Sequence, residues 1–457
     1  MGINHIYSQF CFYTSPLNLK GSMSHPSQHH FIIIPLICSL LAFQVQGQEI
    51  TYRQHIEPII NTHCIRCHQP NNVAPFSLLT YEDVASRAKF IGHVTKTKYM
   101  PPFKADASFQ HYKNENILSP DEIQLIQGWV KGGMEKGKKN ASSDPDIHAE
   151  QGSMVIKAQK ENKKTETLAI GMQRAFVLPE TGKEEFRFFH VPLNNKDEKY
   201  IQSIRFIPGN KKLVHHSRVM TDTSGTTAGL DGLSENDTVI YQYQTKPLAD
   251  PFLFGWVPGN DQITFPEGTG KKMYPGTDFI FNMHYSPSPR IVSDSSSISI
   301  QFSTKPADRE VTTLTMKEDN ISNLPFLIKA NTSPTFYMRS AMIEEEISLI
   351  SVMPHMHLLG KRFKAFAVTP AGDLIPLINI PEWDFNWQMT YTFKNYLHIP
   401  KGSVIYAEAQ YDNTLQNPRN PSRPPKDVSY GWGTKDEMMN LIIYYVKYRV
   451  GDEKIGL

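Results

Sequence analysis

Cysteine is scarce in this chain: four residues in 457, of which Cys11 and Cys38 lie in an N-terminal stretch that reads as a removable leader. Only Cys64 and Cys67 would remain afterwards, so a disulfide framework is excluded and the domains must stand on burial alone. Charge of one sign is also missing: 47 Lys plus Arg stand against 45 Asp plus Glu, a net +2. That leaves no basic field for nucleic acid. Long apolar runs are absent too. The strongest, Phe31 to Phe43, would make a helix of about 20 Å against a hydrocarbon core of about 30 Å. No later run is long enough to span a bilayer, so the mature chain is expected to be soluble. No internal repeat or low-complexity tract is evident.

The Phe31–Phe43 run instead reads as the apolar core of a signal peptide over residues 1–47. Val45-Gln46-Gly47 would supply the cleavage site, with Met23 as an alternative start. The protein is therefore expected to be exported, periplasmic or extracellular. At 457 residues, about three domains is the natural prior.

Against that scarcity, Cys64-Ile65-Arg66-Cys67-His68 stands out. A C-x-x-C-H run is how a c-type haem is held: two thiols become thioethers to the porphyrin and the His becomes an axial iron ligand. Zinc would need further Cys or His at zinc spacing, and there is no second C-x-x-C. A thioredoxin-like pair would want a βαβ surround. Residues 48–138 otherwise read as helices around this motif. Tyr52, Ile56, Ile59 and Ile60 lie at helical spacing before it. Ser119-Pro120-Asp121-Glu122 starts a further helix with a capping box, and Gly132-Gly133 ends it. The second axial ligand is assigned to Met100, whose sulfur a Pro-stiffened Met-Pro-Pro loop would hold; His93 and His111 are the rivals.

Residues 139–168 turn to Lys, Asn, Ser, Asp and Gln and read as a linker. Beyond it, short β-branched and aromatic runs recur between Gly, Pro and Asn: Tyr200–Phe206, Phe279–Met283, Ser297–Phe302, Ile347–Met353, Val404–Gln410 and Leu441–Val450. This spacing suggests two β-sandwiches, over 169–311 and 312–457.

Three histidine groups punctuate those strands: His215-His216, His284, and His355-Met356-His357. On a strand, residues two apart share a face, so His355 and His357 could aim at one metal, with Gly360 ending the strand. His215 and His216 would face opposite sides, and joint ligation there requires a bulge or a strand end. Taken singly, such pairs are more often ordinary core or surface histidines.

Their order and context resemble the copper type II, ascorbate-dependent monooxygenases. The resemblance covers about residues 170–450 and rests on His215-His216, His284-Tyr285, His355-x-His357, Tyr411-Asp412-Asn413-Thr414, Gly431 and Asp436-Glu437-Met438. It implies two coppers: an electron-transferring one on His215, His216 and His284, and an oxygen-binding one on His355, His357 and Met438. Met439, Met273 and Met283 are alternative thioethers. In the peptide-amidating branch an Arg precedes the H-x-H by two residues and a Tyr follows the Met by four. Here those positions are Met353 and Ile442, although Asn440 is kept, so peptide amidation is disfavoured. The N-terminal haem motif resembles the cytochrome c domain fused to bacterial members.

The expected fold is thus multidomain: a small all-α cytochrome c-like domain followed by two all-β, jelly-roll-like sandwich copper domains. The expected activity is hydroxylation of a C–H bond of an unidentified small-molecule or peptide-like substrate with O2. The haem would relay electrons from ascorbate, another donor or a redox partner protein. The competing expectation is a non-enzymatic exported cytochrome that binds copper or transfers electrons.

Overall fold

The computed structural model describes residues 49–138 and 166–457, apart from 71, 73, 236, 241–251, 261 and 432. The expected leader at 1–47 and the expected linker up to residue 165 lie outside the described residues. The first strand, Thr167–Gly171, already begins within the last residues assigned to that linker.

Helices dominate the first described segment. A π-helical turn Tyr52–Ile56 runs into the helix Glu57–His63, followed by Tyr81–Ala85, Ala88–Lys96 and Pro120–Lys131. The last of these begins as its sequence requires: the Ser119 hydroxyl accepts the Glu122 N–H while Glu122 reaches back to the Ser119 N–H, and Pro120 occupies the first turn. Gly132 caps its end and Gly133 follows at φ +92°. Tyr52, Ile56, Ile60, Val84, Ile126 and Trp129 close one small core.

The remainder is almost entirely antiparallel β-structure. One sheet runs Thr167–Gly171, Ser297–Phe302, Lys199–Ile207, Thr269–Met273, Arg309–Glu310, with Gln262–Thr264 also on Lys199–Ile207. A second runs Glu185–Val191, Asp278–Tyr285, Val214–Asp222, Phe252–Trp256. Ile204, Phe206 and Ile298 of one and Phe254, Phe279 and Phe281 of the other share a core, which makes a first sandwich.

The following strands form a second sandwich. Its sheets run Thr312–Met316, Asn440–Lys447, Ile347–His355, Tyr391–Ile399, and Thr335–Arg339, Val404–Tyr411, Gly360–Val368, Leu374–Ile380. Every strand expected from the β-branched runs is present, within a few residues at its ends.

The two sandwiches are less separate than the sequence suggested. Strand Ile347–His355 is buried at every position but its last. Leu349 and Val352 enter the second core, whereas Ile350 and Met353 enter the first, joined there by Ile442, Tyr444 and Val446. Successive side chains of a strand face opposite ways, and a bulge between Leu349 and Ser351 keeps Val352 on the face of Leu349 and Met353 on that of Ile350, so one strand serves both cores. Burying those five side chains contributes on the order of 10 kcal/mol as an upper estimate. Fit is close at this seam: a Cβ on Gly255 would come within 2.7 Å of the Met353 methyl.

The helical segment also docks on the second sandwich, through a stretch that the sequence marked only by scattered aromatics. The Tyr112 ring is buried and stacks on Phe393 at 5.8 Å, and its hydroxyl donates to the Leu377 carbonyl at 2.7 Å. Backbone N–H groups of Asp106 and Lys113 donate to the carbonyls of Asn379 and Thr392 at 2.8 and 2.7 Å. Among the described residues no helix is long and apolar enough to cross a membrane.

Candidate metal centres

The pairing of Val214–Asp222 with Asp278–Tyr285 slips at His215: Val214 faces Tyr285 and His216 faces His284, leaving one extra residue between. This is the bulge that two adjacent histidines need in order to point at one place. Their Nδ1 atoms lie 3.2 Å apart, and His216 Nδ1 lies 3.3 Å from His284 Nδ1. One ring nitrogen from each of the three falls within 4.8 Å of the others.

Burial, followed by the neighbouring His284, pushes His215 down to about 4, and burial holds His216 well below the usual histidine value. Both are neutral at pH 7, the form that ligates metal. His284 is packed face to face on Phe186, with ring centres 4.1 Å apart. Its Nε2 is buried with no hydrogen-bond partner among the described residues, and the Glu184 carboxylate stands 3.6 Å away, beyond hydrogen-bond length. Converging imidazoles with a spare buried ring nitrogen fit a copper or zinc ion better than a hydrogen-bonded core.

The second group sits where strand Ile347–His355 ends. His355 is its last residue and His357 lies just beyond, so the pair does not share one continuous strand; Gly360 opens the next strand rather than closing this one. The chain turns sharply instead. A Cβ on Gly360 would come 2.6 Å from the Trp383 ring, which is why no larger residue fits there. The two Nε2 atoms still meet, 3.2 Å apart. Nδ1 of His355 bonds Gln388 Oε1 at 2.5 Å and Nδ1 of His357 bonds the Asp436 carbonyl at 3.0 Å. Burial, then the charge of its neighbour His357, pushes His355 down to about 3, and burial pushes His357 to about 4.

Met438 is 2% exposed and lies two residues before Asn440, the register partner of His355. Its sulfur is 3.7 Å from the Asn440 side-chain nitrogen, and its carbonyl accepts the Tyr411 hydroxyl at 2.7 Å. The alternative thioethers point elsewhere: Met439 into the second core, Met273 and Met283 into the first. Asn413 donates to the carbonyls of Ile328 and Lys426 at 3.0 and 2.7 Å, and so braces the loop behind this group.

A loop between Leu374–Ile380 and Tyr391–Ile399 joins the two groups. The Phe385 ring stacks on His215 at 5.4 Å, contacts His216 at 6.3 Å and meets His357 edge-on at 5.9 Å. Nothing in the sequence analysis singled out Phe385, Gln388 or Glu184. The one available signal was aromatic density in a loop, in Trp383-Asp384-Phe385-Asn386-Trp387.

At the haem-type motif, Cys64 caps the helix Glu57–His63, and the N–H groups of Cys67 and His68 both donate to its carbonyl. The two thiols are not joined, and burial pushes Cys64 up to about 12. His68 Nδ1 lies 3.1 Å from the Phe76 carbonyl, which makes it the donor and leaves Nε2 for another partner, as an axial ligand requires. Burial lowers its pKa. Met100 is half-buried and its N–H donates to the Val94 carbonyl at 3.0 Å, while His93 and His111 are exposed. Cys67 faces the first sandwich: its sulfur lies 3.9 Å from where a Cβ on Gly259 would be.

Residues 326–454 match the family model described as copper type II ascorbate-dependent monooxygenase, C-terminal domain. The match falls on the second sandwich and spans His355, His357 and Met438, and it supports a copper-dependent oxidoreductase family for this part of the chain. No curated protein matches the chain. Among solved structures, the major capsid protein P2 of bacteriophage PM2 is 8% identical, covering 63% of this chain and 100% of its own, with a TM-score of 0.24. The infectious bursal disease virus VP2 subviral particle is 11% identical, with coverages of 62% and 72% and a TM-score of 0.17. A two-domain protein of unknown function from Bacteroides fragilis is 9% identical, with coverages of 66% and 99% and a TM-score of 0.16. TM-scores this low define no shared fold.

Proposed function

We propose that this protein is an exported copper-dependent monooxygenase that hydroxylates a substrate C–H bond with O2, and that its helical module carries a c-type haem. The observation that carries the reading is the pairing of two inward-facing histidine groups, one from each sandwich, that both contact the same Phe385 ring. His215, His216 and His284 would hold one copper, and His355, His357 and Met438 the other. Copper supplies the one-electron and O2 chemistry when bound, since imidazole suits both of its oxidation states and a thioether favours Cu(I).

The chain's own part is to fix tautomers, exclude water and select the substrate. Met353 and Ile442 bear on selection. Each is 7% exposed and packed into the first core, so these positions present an apolar wall where a peptide carboxylate would need an Arg and a Tyr. An unidentified small molecule without that carboxylate requirement fits better than a peptide to be amidated.

The haem, held by Cys64, Cys67 and His68 with Met100 as second axial ligand, would pass electrons from ascorbate, another donor or a redox protein. Support comes from Cys67 facing Gly259, next to Asn260. The side chain of Asn260 reaches Thr390, at the end of the loop carrying Phe385, at 3.3 Å. Metal analysis of protein matured in a haem-attaching host tests the reading. One iron and about two coppers per chain, falling to about one copper in His357→Ala, is expected. Iron without stoichiometric copper would sink it.

A further inference from the structure

The loop from Pro381 to Thr390 contributes no ligand to either proposed copper, yet its side chains touch both groups. Gln388 is 3% exposed, and its amide is held at both ends. Its Nε2 donates to the Phe385 carbonyl at 2.9 Å, which forces its Oε1 toward His355. A carbonyl oxygen only accepts, so His355 Nδ1 must carry the proton and its Nε2 must be bare. The Asp436 carbonyl imposes the same tautomer on His357. Two bare Nε2 lone pairs are thereby aimed at each other across 3.2 Å, an arrangement that repels until a cation lies between them.

The carbonyl that orients Gln388 belongs to Phe385, whose ring packs on His215. The preceding residue anchors the loop. Asp384 accepts the backbone and side-chain N–H of Asn386 at 3.1 and 3.2 Å, and Lys104 of the helical module stands 3.8 Å from its carboxylate.

We propose that this loop is an outer shell shared by the two metal sites. Gln388 is a positioning residue that sets the His355 tautomer, and Phe385 transmits that setting to His215, so that filling one site changes affinity at the other. The inference rests on the reading that both groups hold copper.

The test uses the full haem-loaded chain, a chromophoric Cu(I) chelator as competitor, and the electron paramagnetic resonance of the oxidised coppers. Gln388→Ala is expected to weaken the His355 site by about 10–100-fold and alter its spectrum, with the haem absorbance unchanged as evidence of folding. Gln388→Glu retains the acceptor for His355 but sets a carboxylate oxygen against the Phe385 carbonyl, and is expected to restore the affinity only in part. Phe385→Ala keeps every ligand, and it is expected to abolish a parent coupling of about fivefold or more between the two binding steps. Two coppers in the parent together with an indifferent Gln388→Ala would overturn this inference alone. A parent that binds no copper would overturn the proposed function as well.

Discussion

Glu437 accepts the backbone N–H of His357 at 2.9 Å, across a turn in which no water is needed to bridge them. The same carboxylate takes the N–H of Leu359 at 2.5 Å and that of Met438 at 3.3 Å, and the residue is fully buried. One side chain therefore fastens the two segments that carry the second ligand group.

Truncating Glu437 leaves three buried N–H groups without acceptors. Glu437→Ala is expected to cost about 3 kcal/mol in the metal-free chain, by denaturant unfolding, and to remove one copper per chain. Glu437→Gln should cost less, since one acceptor survives. Unchanged unfolding with copper still at two would show that the turn holds without it.

Docking of the helical module is predicted to depend on one ring. Tyr112→Ala removes a 1% exposed side chain lodged against Phe393 and Tyr391 and should cost about 3–5 kcal/mol. Because that ring is packed in the second sandwich, calorimetry should show the second sandwich losing stability. A loss confined to the helical segment would mean that the module does not brace its neighbour.

Acid stability should report on Asp452. Burial alone would raise its pKa, but Arg309 at 2.6 Å, Ser348 at 2.6 Å and the Arg449 N–H at 3.0 Å hold it below the usual aspartate value. A depressed carboxylate stabilises the fold above its unfolded pKa of about 3.9, and that contribution fades as pH falls through the lowered native value. Asp452→Asn is expected to cost about 3 kcal/mol at pH 7 and to flatten the acid limb below pH 4. An equally steep limb in the variant would assign acid unfolding to other groups.

Copper occupancy is predicted to be independent of covalent haem attachment. Cys67→Ala should lose one thioether and weaken haem retention, seen in the absorbance spectrum of the denatured protein. Copper content should stay at about two, because no ligand of either group lies in the helical segment. If copper fell as well, the module would be shaping the metal sites through its contact at Gly259.

Much of the architecture was legible because its causes are local. β-Branched runs mark strands wherever a face is buried, and Ser119 with Glu122 writes its own helix start. The His215-His216 pair even announced the bulge it needed, since adjacent residues on a regular strand cannot share a target. The H-x-H pair converges, but by another route than strand alternation: the strand stops at His355, and the turn after it brings the two rings together. Gln388 and Phe385 were invisible because their roles arise from a loop folded back on His355 and His357 of a preceding strand end and on His215 of the other sandwich, which no local spacing encodes. Glu437 was recognised as part of a motif, but its hold on three amides appears only once the turn at His357 is built.

Strand Ile347–His355, which serves two cores, makes the residue boundary near 311 a poor place to cut. A fragment ending there would strip the first core of Ile350, Met353, Ile442, Tyr444 and Val446, and the complementary fragment would show those same side chains to water. Each half would carry an open apolar plane shaped for the other, so separate expression should give association or precipitation rather than two soluble domains. The paired sandwiches are thus expected to fold and persist as one unit, with the helical segment lying outside that seam.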